Sequence, residues 1–464
     1  MVSERVPPQS EPTTTDTATV PDRPRKSRPI MAWAITLMLL GSTLISYLDR
    51  AILGLVAQPA MADLGLSAAE FGAISSAASL LSPIAALLFA FVADRLPLKN
   101  TLFTLVLIWS LLQLPIFFAA SAGLLLATRL VLGAADAPAN SLMHSIAYSW
   151  WPNERRGLPA AILTTGASFG KLIFAPVIVV IIAAFSWEAG FLTVAIMGFV
   201  WCVVWAFIGR TGPYAADAAP AEAQAAAAGP ADPAAGRRAP LLSILLTGTF
   251  LGYLAVFTAA GILVVIVLTW LPSYFQEGLG FSAVMAGSLF GVPSIMSVIF
   301  LFLYGPLGDK ALTRGVPARV VRVLIGGGLV AAGGLSLLAL PLVSGVAGPM
   351  ALLMLGYGLV TSIYAVANPT LAQIVPAAQR TSVLTIGLAL SGLLSVVGPW
   401  LAGVVLDSAK AAGAGADGYV DVFMMAGGVA IAGGALFALL ANPERDALKV
   451  EAARAARAAR QSAP

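Results

Sequence analysis

Charge, cysteine and histidine are what this chain has least of. Of its 464 residues only 10% are Asp, Glu, Lys or Arg, against about 25% in soluble domains. Apolar residues fill the gap, at 59% of the chain and a mean hydropathy of +0.91. This composition excludes a soluble globular enzyme and predicts an integral membrane protein with many spans. One cysteine, Cys202, excludes an intramolecular disulfide. One histidine, His144, excludes a histidine-based metal cluster. Nucleophile-elbow, zinc and phosphate-cradle patterns are missing as well, so neither enzyme chemistry nor a cofactor nor a metal is expected. No soluble stretch is large enough to carry a signalling output, which argues against a receptor.

What the chain has is apolar length. The first run, from about 31 to 56, is too long for a signal-peptide core and no small-residue cleavage site follows it, so it counts as span 1. Further runs of about twenty residues or more, the length a bilayer requires, lie near 69–93, 101–120, 123–149, 158–184 and 188–208. A second set lies near 242–271, 281–307, 320–341, 347–373, 382–406 and 420–441. The expected fold is an all-α membrane protein of twelve helices in two pseudo-symmetric six-helix halves, because open backbone in lipid cannot satisfy its hydrogen bonds. The domain reading is a disordered tail over 1–28, a first half over 29–209, an Ala- and Pro-rich linker over 210–240, a second half over 241–441 and a basic tail over 442–464.

The basic residues orient this map. Of the 26 lysines and arginines, all except Arg50, Arg129, Lys171 and Lys410 fall in the two tails, the linker and the loops on one side. By the positive-inside rule that side, with both termini, is cytoplasmic. A pI near 9.3 therefore reflects topology and not a nucleic-acid partner. In the last tail Arg454, Arg457 and Arg460 recur every third residue. A helix lying on anionic headgroups is one reading; a solvated helix or disorder is the plainer one.

Charge inside the spans is concentrated. Asp49, Arg50, Arg129, Asp136 and Lys171 all fall in the first half. Arg129 and Asp136 are seven residues apart on one helix, a spacing that returns both to nearly the same face, about 10 Å apart along the axis. An ionised side chain at the centre of a membrane helix costs about 2.5–3.5 kcal/mol on insertion scales, and a transport pathway is the leading reason to bear that cost. The second half offers Tyr253, Tyr274, Tyr304, Tyr357, Tyr364 and Asn368 instead. The division predicts ion and carboxylate chemistry in the first half, with an aromatic and hydroxyl wall from the second half selecting the substrate body.

Two loops echo each other. After span 2 comes Ala90-Phe-Val-Ala-Asp94-Arg95-Leu-Pro97-Leu-Lys99, and after span 8 comes Gly305-Pro-Leu-Gly-Asp309-Lys310-Ala-Leu-Thr-Arg314. With the six-plus-six pattern, this resembles the major facilitator superfamily, whose loop signature runs Gly-x-x-x-Asp-Arg/Lys-x-Gly-Arg/Lys. An acid at such a helix end can accept bonds from the free amides of a neighbouring helix N-terminus. Four further patches resemble the anion:cation symporters within that superfamily. They are Tyr47-Leu-Asp49-Arg50, Arg129-x-x-x-Gly133-x-x-Asp136-Ala-Pro138, Trp151-Pro152-x-Glu154-Arg155-Arg156-Gly157 and Trp270-Leu-Pro272-Ser-Tyr274. Asp136 stands where that family usually has glutamate. The asparagines often found in span 11 are absent, where this chain reads Thr385-Ile-Gly387-Leu388-Ala-Leu-Ser391-Gly392. Lys171 is not a usual family residue.

The resemblance implies proton-coupled uptake of an organic anion by alternating access, in a bacterial inner membrane. The carboxylate could be a sugar acid, an aromatic acid or a small dicarboxylate, and the protein is expected to act as a monomer. Arg50 is the expected carboxylate contact, since guanidinium offers a bidentate fork, and Arg129 is an expected substrate or gating contact; for each, a structural ion pair is the other reading. Lys171 either binds a second carboxylate or neutralises Asp136. Tyr47, Tyr364 and Asn368 complete the expected substrate contacts. Asp136 is the leading proton carrier, a permanent salt bridge with Lys171 or Arg50 being the other reading. Asp49 either shares that role or pairs locally, and His144 either relays protons or packs through a hydrogen bond. Asp94, Arg95, Gly305, Asp309 and Lys310 form the expected conformational loop motif. The alternative within the fold is a drug/proton antiporter, but the Gly-Pro-x-x-Gly-Gly signature common in span 5 of such proteins is replaced here by Phe174-Ala-Pro176-Val-Ile-Val.

Overall fold

A computed structural model describes residues 29–90, 96–152, 158–159, 162–163, 166, 170–214, 239–376 and 379–462, and every regular element among them is helical. The first half holds α1 (Pro29–Leu64), α2 (Ala68–Leu80), α3 (Ser82–Ala90), α4 (Leu98–Phe118), α5 (Ala122–Tyr148), α6 (Ala175–Ala184) and α7 (Trp187–Ile208). The second holds a short α8 (Leu241–Leu245), then α9 (Gly248–Ser273), α10 (Ala283–Leu289), α11 (Val292–Thr313), α12 (Ile325–Leu338), α13 (Ala347–Thr361), α14 (Ala367–Ile374), α15 (Arg380–Ser395), α16 (Val397–Ala411) and α17 (Asp417–Leu440). A last helix, α18 (Pro443–Ser462), follows.

Ten of the described helical stretches are long and apolar enough to cross a membrane. Twelve were expected, and the other two expected spans are those where the helix is broken or incompletely described. The stretch expected at 69–93 breaks at Leu81 into α2 and α3, just before Pro83, which has no N–H to return to the preceding turn. The stretch expected at 158–184 is described continuously from 170, as a π-helical turn Gly170–Phe174 running into α6.

Local chemistry explains most boundaries. Ser67, Ser121, Ser186, Thr247 and Ser282 each accept a bond from an amide in the first turn of the helix they precede. Gly65 turns the chain from α1 into α2 with φ 64°, and Gly315 ends α11 with φ 85°, a left-handed backbone that suits glycine.

Two expectations are corrected. Gly305, Asp309 and Lys310 do not form a loop: α11 runs through them, Pro306 included, to Thr313, and the chain turns only at Gly315. A Cβ at Gly305 would meet nothing within 4 Å, so close packing does not demand that glycine. The matching Asp94 and Arg95, like residues 153–157, lie outside the described residues, as do the tail 1–28 and the linker core 215–238. The second correction concerns the last tail. It is not disordered: its start is a docked helix, while residues 451–457 run on as a mostly exposed helix, as the solvated reading has it. Asp446 is fully buried and accepts from the Thr249 amide and hydroxyl at the start of α9, at 2.8 Å each. Val450 is buried beside it, and Glu444 accepts from the Arg319 amide at 3.1 Å.

The halves meet most closely at one end of the bundle, the end carrying the Gly65 turn. A Cβ added to Gly54 of α1 would collide with the Leu268 carbonyl of α9, one added to Gly72 of α2 with the Pro399 carbonyl of α16, and one added to Gly403 with Ala68. Here Asp407 of α16 accepts from the Ala68 and Ala69 amides at 3.0 and 2.8 Å, capping the N-terminus of α2 from the other half. Gln58 donates to Tyr419 at 2.8 Å, and Tyr419 donates to Glu277 at 3.0 Å, closing the same end.

Candidate substrate cavity

Below that closed end a cavity of about 440 Å³ lies between the halves, within the range of small-molecule sites. From the first half it is lined by Tyr47, Arg50 and Asp136, and from the second by Phe257, Tyr364 and Leu388, among others. Its charged lining is Asp49 and one ion pair. The Arg50 Nε of α1 donates to Asp136 Oδ2 of α5 at 2.6 Å, and Arg50 Nη2 donates to the same oxygen. Ser46, one turn before Arg50, donates to the other oxygen, Oδ1, at 2.5 Å. The Arg50 guanidinium lies 5.3 Å from the Tyr47 ring centroid, a cation–π distance. One edge of the fork is thus committed to Asp136, and the Arg50 side chain remains 45% exposed against 9% for Asp136. The cation is presented to the cavity and the acid sits behind it.

A second cluster lies deeper in the first half. Gln113 of α4 donates to Asp49 Oδ1 at 2.5 Å and accepts from Arg129 Nη2 at 2.5 Å, so one amide bridges acid and base. Arg129 also donates to the Asp49 backbone carbonyl at 3.3 Å and lies 5.2 Å from the Phe191 ring centroid. Arg129 is 0% exposed. The seven-residue spacing does bring Arg129 and Asp136 onto the face of α5 that meets α1, as expected. The substrate contact expected of Arg129 is corrected: Gln113 and Phe191 cover it, and it does not line the cavity. Asp49 is 3% exposed, and its Oδ2 has no partner among the described residues.

Lys171 also stays off the cavity wall. It is 7% exposed on the π-helical turn, with its ammonium 5.7 Å from the Tyr357 ring centroid across the halves. No ion pair joins it to Asp136 among the described residues. His144 packs against Tyr148 with ring centroids 5.8 Å apart, and its Nδ1 is buried without a partner among the described residues; it is not beside Asp136.

The hydroxyl wall expected from the second half is corrected too. Tyr253 donates to Asn368 Oδ1 at 2.9 Å, and neither residue lines the cavity. Tyr304 donates to the Val321 carbonyl at 2.7 Å, and Tyr274 packs on Tyr419 and Phe423. Of the six groups proposed, Tyr364 alone is among the cavity-lining residues. The residues the sequence reading passed over are Ser46, Gln113, Phe257 and Asp407. Gln113 had a legible signal, as a lone amide in the apolar run Trp109-Ser-Leu-Leu-Gln113-Leu; Phe257 had none, being one apolar residue among many.

The family model for the Major Facilitator Superfamily matches residues 39–368. The chain belongs to the major facilitator superfamily. Among curated relatives it is similar to a hexuronate transporter of Bacillus subtilis, 29% identical over 287 residues that make up 61% of this chain and 66% of that protein. It is also similar to a probable galactarate/D-glucarate transporter of Bacillus subtilis, 27% identical over 65% of this chain and 71% of that one. A D-galactonate transporter of Escherichia coli O6:H1 is 25% identical over 60% and 67%. Among solved structures, a bacterial homologue of the human lysosomal transporter Spinster, in an inward-facing and unoccupied conformation, aligns with TM-score 0.73 at 17% identity over 92% of this chain and 99% of that one. The inward-open xylose transporter of Escherichia coli aligns with TM-score 0.68 at 15% identity, over 91% and 99%. These similarities establish a multi-pass major facilitator fold for this chain.

Proposed function

We propose that this major facilitator protein is a proton-coupled organic-anion symporter that works by alternating access, as a monomer with both termini cytoplasmic in a bacterial inner membrane. The observation that carries the reading is the Arg50–Asp136 pair at the cavity edge, with the arginine turned toward the space and the acid behind it. An incoming carboxylate competes with Asp136 for the guanidinium fork. Once displaced, Asp136 has lost the cation that favours its ionised form and takes a proton. Anion and proton therefore each assist the other's binding, and the coupling is reciprocal. Asp49 is the second candidate acid, since its free Oδ2 is buried beside the Arg129–Gln113 relay. The similarity to transporters of hexuronate, galactarate/D-glucarate and D-galactonate supports an anionic substrate.

The test is uptake into proteoliposomes of the full chain under an imposed pH difference, with radiolabelled galacturonate, succinate and phenylacetate as probes and protein-free vesicles to subtract passive entry. At least one acid should accumulate when the outside is acidic, and accumulation should collapse with a protonophore. Asp136→Asn should still exchange internal for external anion but should not accumulate it. Accumulation by Asp136→Asn at the wild-type level would remove Asp136 from the coupling step.

A further inference from the structure

We propose that the transported carboxylate is a monocarboxylate with an apolar, aromatic body, and that polyhydroxylated sugar acids and dicarboxylates are poor substrates. The inference rests on the anion reading above and narrows it. Its first support is the count of cations. Among the described residues Arg50 is the one cation lining the cavity. Arg129 is 0% exposed behind Gln113, and Lys171 is 7% exposed over Tyr357. A second carboxylate on the same substrate would enter this space without a partner, and a buried unpaired charge is strongly disfavoured.

The second support is the wall that faces the ion pair. It is built from Phe257, Val264, Val265, Leu268 and Leu388 with Gly261 between them. Three of the lining hydroxyls donate within the protein, while Ser75 on the first-half side is buried with no partner among the described residues. Ser391 donates to the Gly387 carbonyl at 2.8 Å and Ser395 to the Ser391 carbonyl at 2.7 Å, each within its own helix. On the opposite side Ser82 donates to the Gly133 carbonyl at 2.7 Å. Asn368, the amide best suited to a sugar hydroxyl, is held by Tyr253. A sugar acid with its carboxylate on Arg50 would turn most of its hydroxyls toward the Phe257, Val264, Val265, Leu268 and Leu388 side chains, which offer no hydrogen bonds, and each buried unmet group counts against binding.

The third support is aromatic. Tyr253 stacks on Phe257 at 5.0 Å between centroids, and Phe257 meets Tyr364 edge-on at 4.9 Å. Phe257 and Tyr364 of this stack line the cavity, and a ring on the substrate can extend the same offset and edge-to-face arrangement. The cavity is thus polar where Tyr47, Arg50 and Asp136 stand and apolar opposite. That polarity matches a molecule with one charged end and one ring.

The experiment is isothermal titration of the purified full chain in detergent near pH 6 with phenylacetate, galacturonate and succinate. Phenylacetate should bind at least about tenfold more tightly than either of the others, a modest ratio for a pocket that rejects added hydroxyls. Leu388→Gln, at a 43% exposed position, should narrow the phenylacetate-to-galacturonate ratio by restoring an amide to the wall. Galacturonate or succinate binding as tightly as phenylacetate would overturn the inference while leaving the anion reading in place. Binding of none of the three up to millimolar concentration would overturn both.

Discussion

Arg50 and Arg129 are the same side chain on adjoining helices of the same half, yet one is 45% exposed at the side chain and the other 0% exposed. The difference lies in what covers them. Arg129 is roofed by Phe191 and bound by Gln113, so its charge serves the first half's interior; Arg50 is backed by Asp136 and open in front. Arg50→Lys keeps the charge but loses the planar fork, and should weaken carboxylate binding about 10–100-fold, the equivalent of about 1.5–3 kcal/mol for a charge-assisted bond, with little change in the unfolding midpoint. Gln113→Leu should do the reverse. It removes one amide from two charged partners and should destabilise the fold by about 3 kcal/mol, read as a lower thermal midpoint in detergent, with less effect on affinity than Arg50→Lys. Equal losses of affinity from both variants would erase the distinction. The charged residues themselves were legible, because each interrupts an apolar run. Their division into cavity and interior was not, because it depends on Gln113 and Phe191, which come from α4 and α7 and share no periodicity with α5.

At the scale of the element, Asp446 shows how a tail becomes part of the fold. Burial pushes its carboxyl up, but bonds from Arg445 and from the hydroxyl and amide of Thr249 outweigh that and hold it below its ordinary value. A carboxyl depressed in the folded state adds stability that is fully present above its unfolded value, about 3.9, and is lost as the pH falls through the lower folded value. Asp446→Ala should therefore cost about 1–2 kcal/mol, as loss of a helix cap does, at any pH above about 5, and the gap between wild type and variant should narrow as the pH falls below the unfolded value and through the folded one. A gap that persisted unchanged to that acidity would mean the carboxylate is not what holds α18 to α9. Apolar length places most of the long helices within a few residues, but α1 runs on past the expected end at 56 to Leu64 and α9 begins at Gly248 and not at 242. The sequence reading misjudged α11 and α18 at their ends, where the outcome turns on a single Gly315 turn and a single capping aspartate.

For the whole molecule, the close approaches between halves gather at one end. Gly54 against the Leu268 carbonyl, Gly72 against Pro399 and Gly403 against Ala68 all lie there, as do Gly287 and Gly291 against Val179 and Leu172. The Asp407 cap and the Gln58–Tyr419–Glu277 chain sit among them. Glycine at these places lets backbone meet backbone, the same means by which membrane helices pack closely elsewhere. Closure at this end therefore depends on missing side chains as much as on bonds formed, and the bonds are of a kind that can exchange with water when the end opens. A rocking motion between two packed arrangements needs such a balance, because a few kcal/mol decides the population of each. Gly54→Leu adds a side chain where even a Cβ collides with the Leu268 carbonyl, so the closed arrangement becomes the disfavoured one. Spin labels at positions 62 and 412, one on each half beside this end, should then show a longer distance by pulsed dipolar spectroscopy than in the otherwise unchanged chain, while the chain remains folded and monodisperse. Asp407→Asn, which weakens the cap without filling space, should lengthen it in a smaller fraction of molecules. If Gly54→Leu leaves the distance distribution where it was, the glycine contacts are not what keeps this end shut, and the balance must be sought in the polar groups alone.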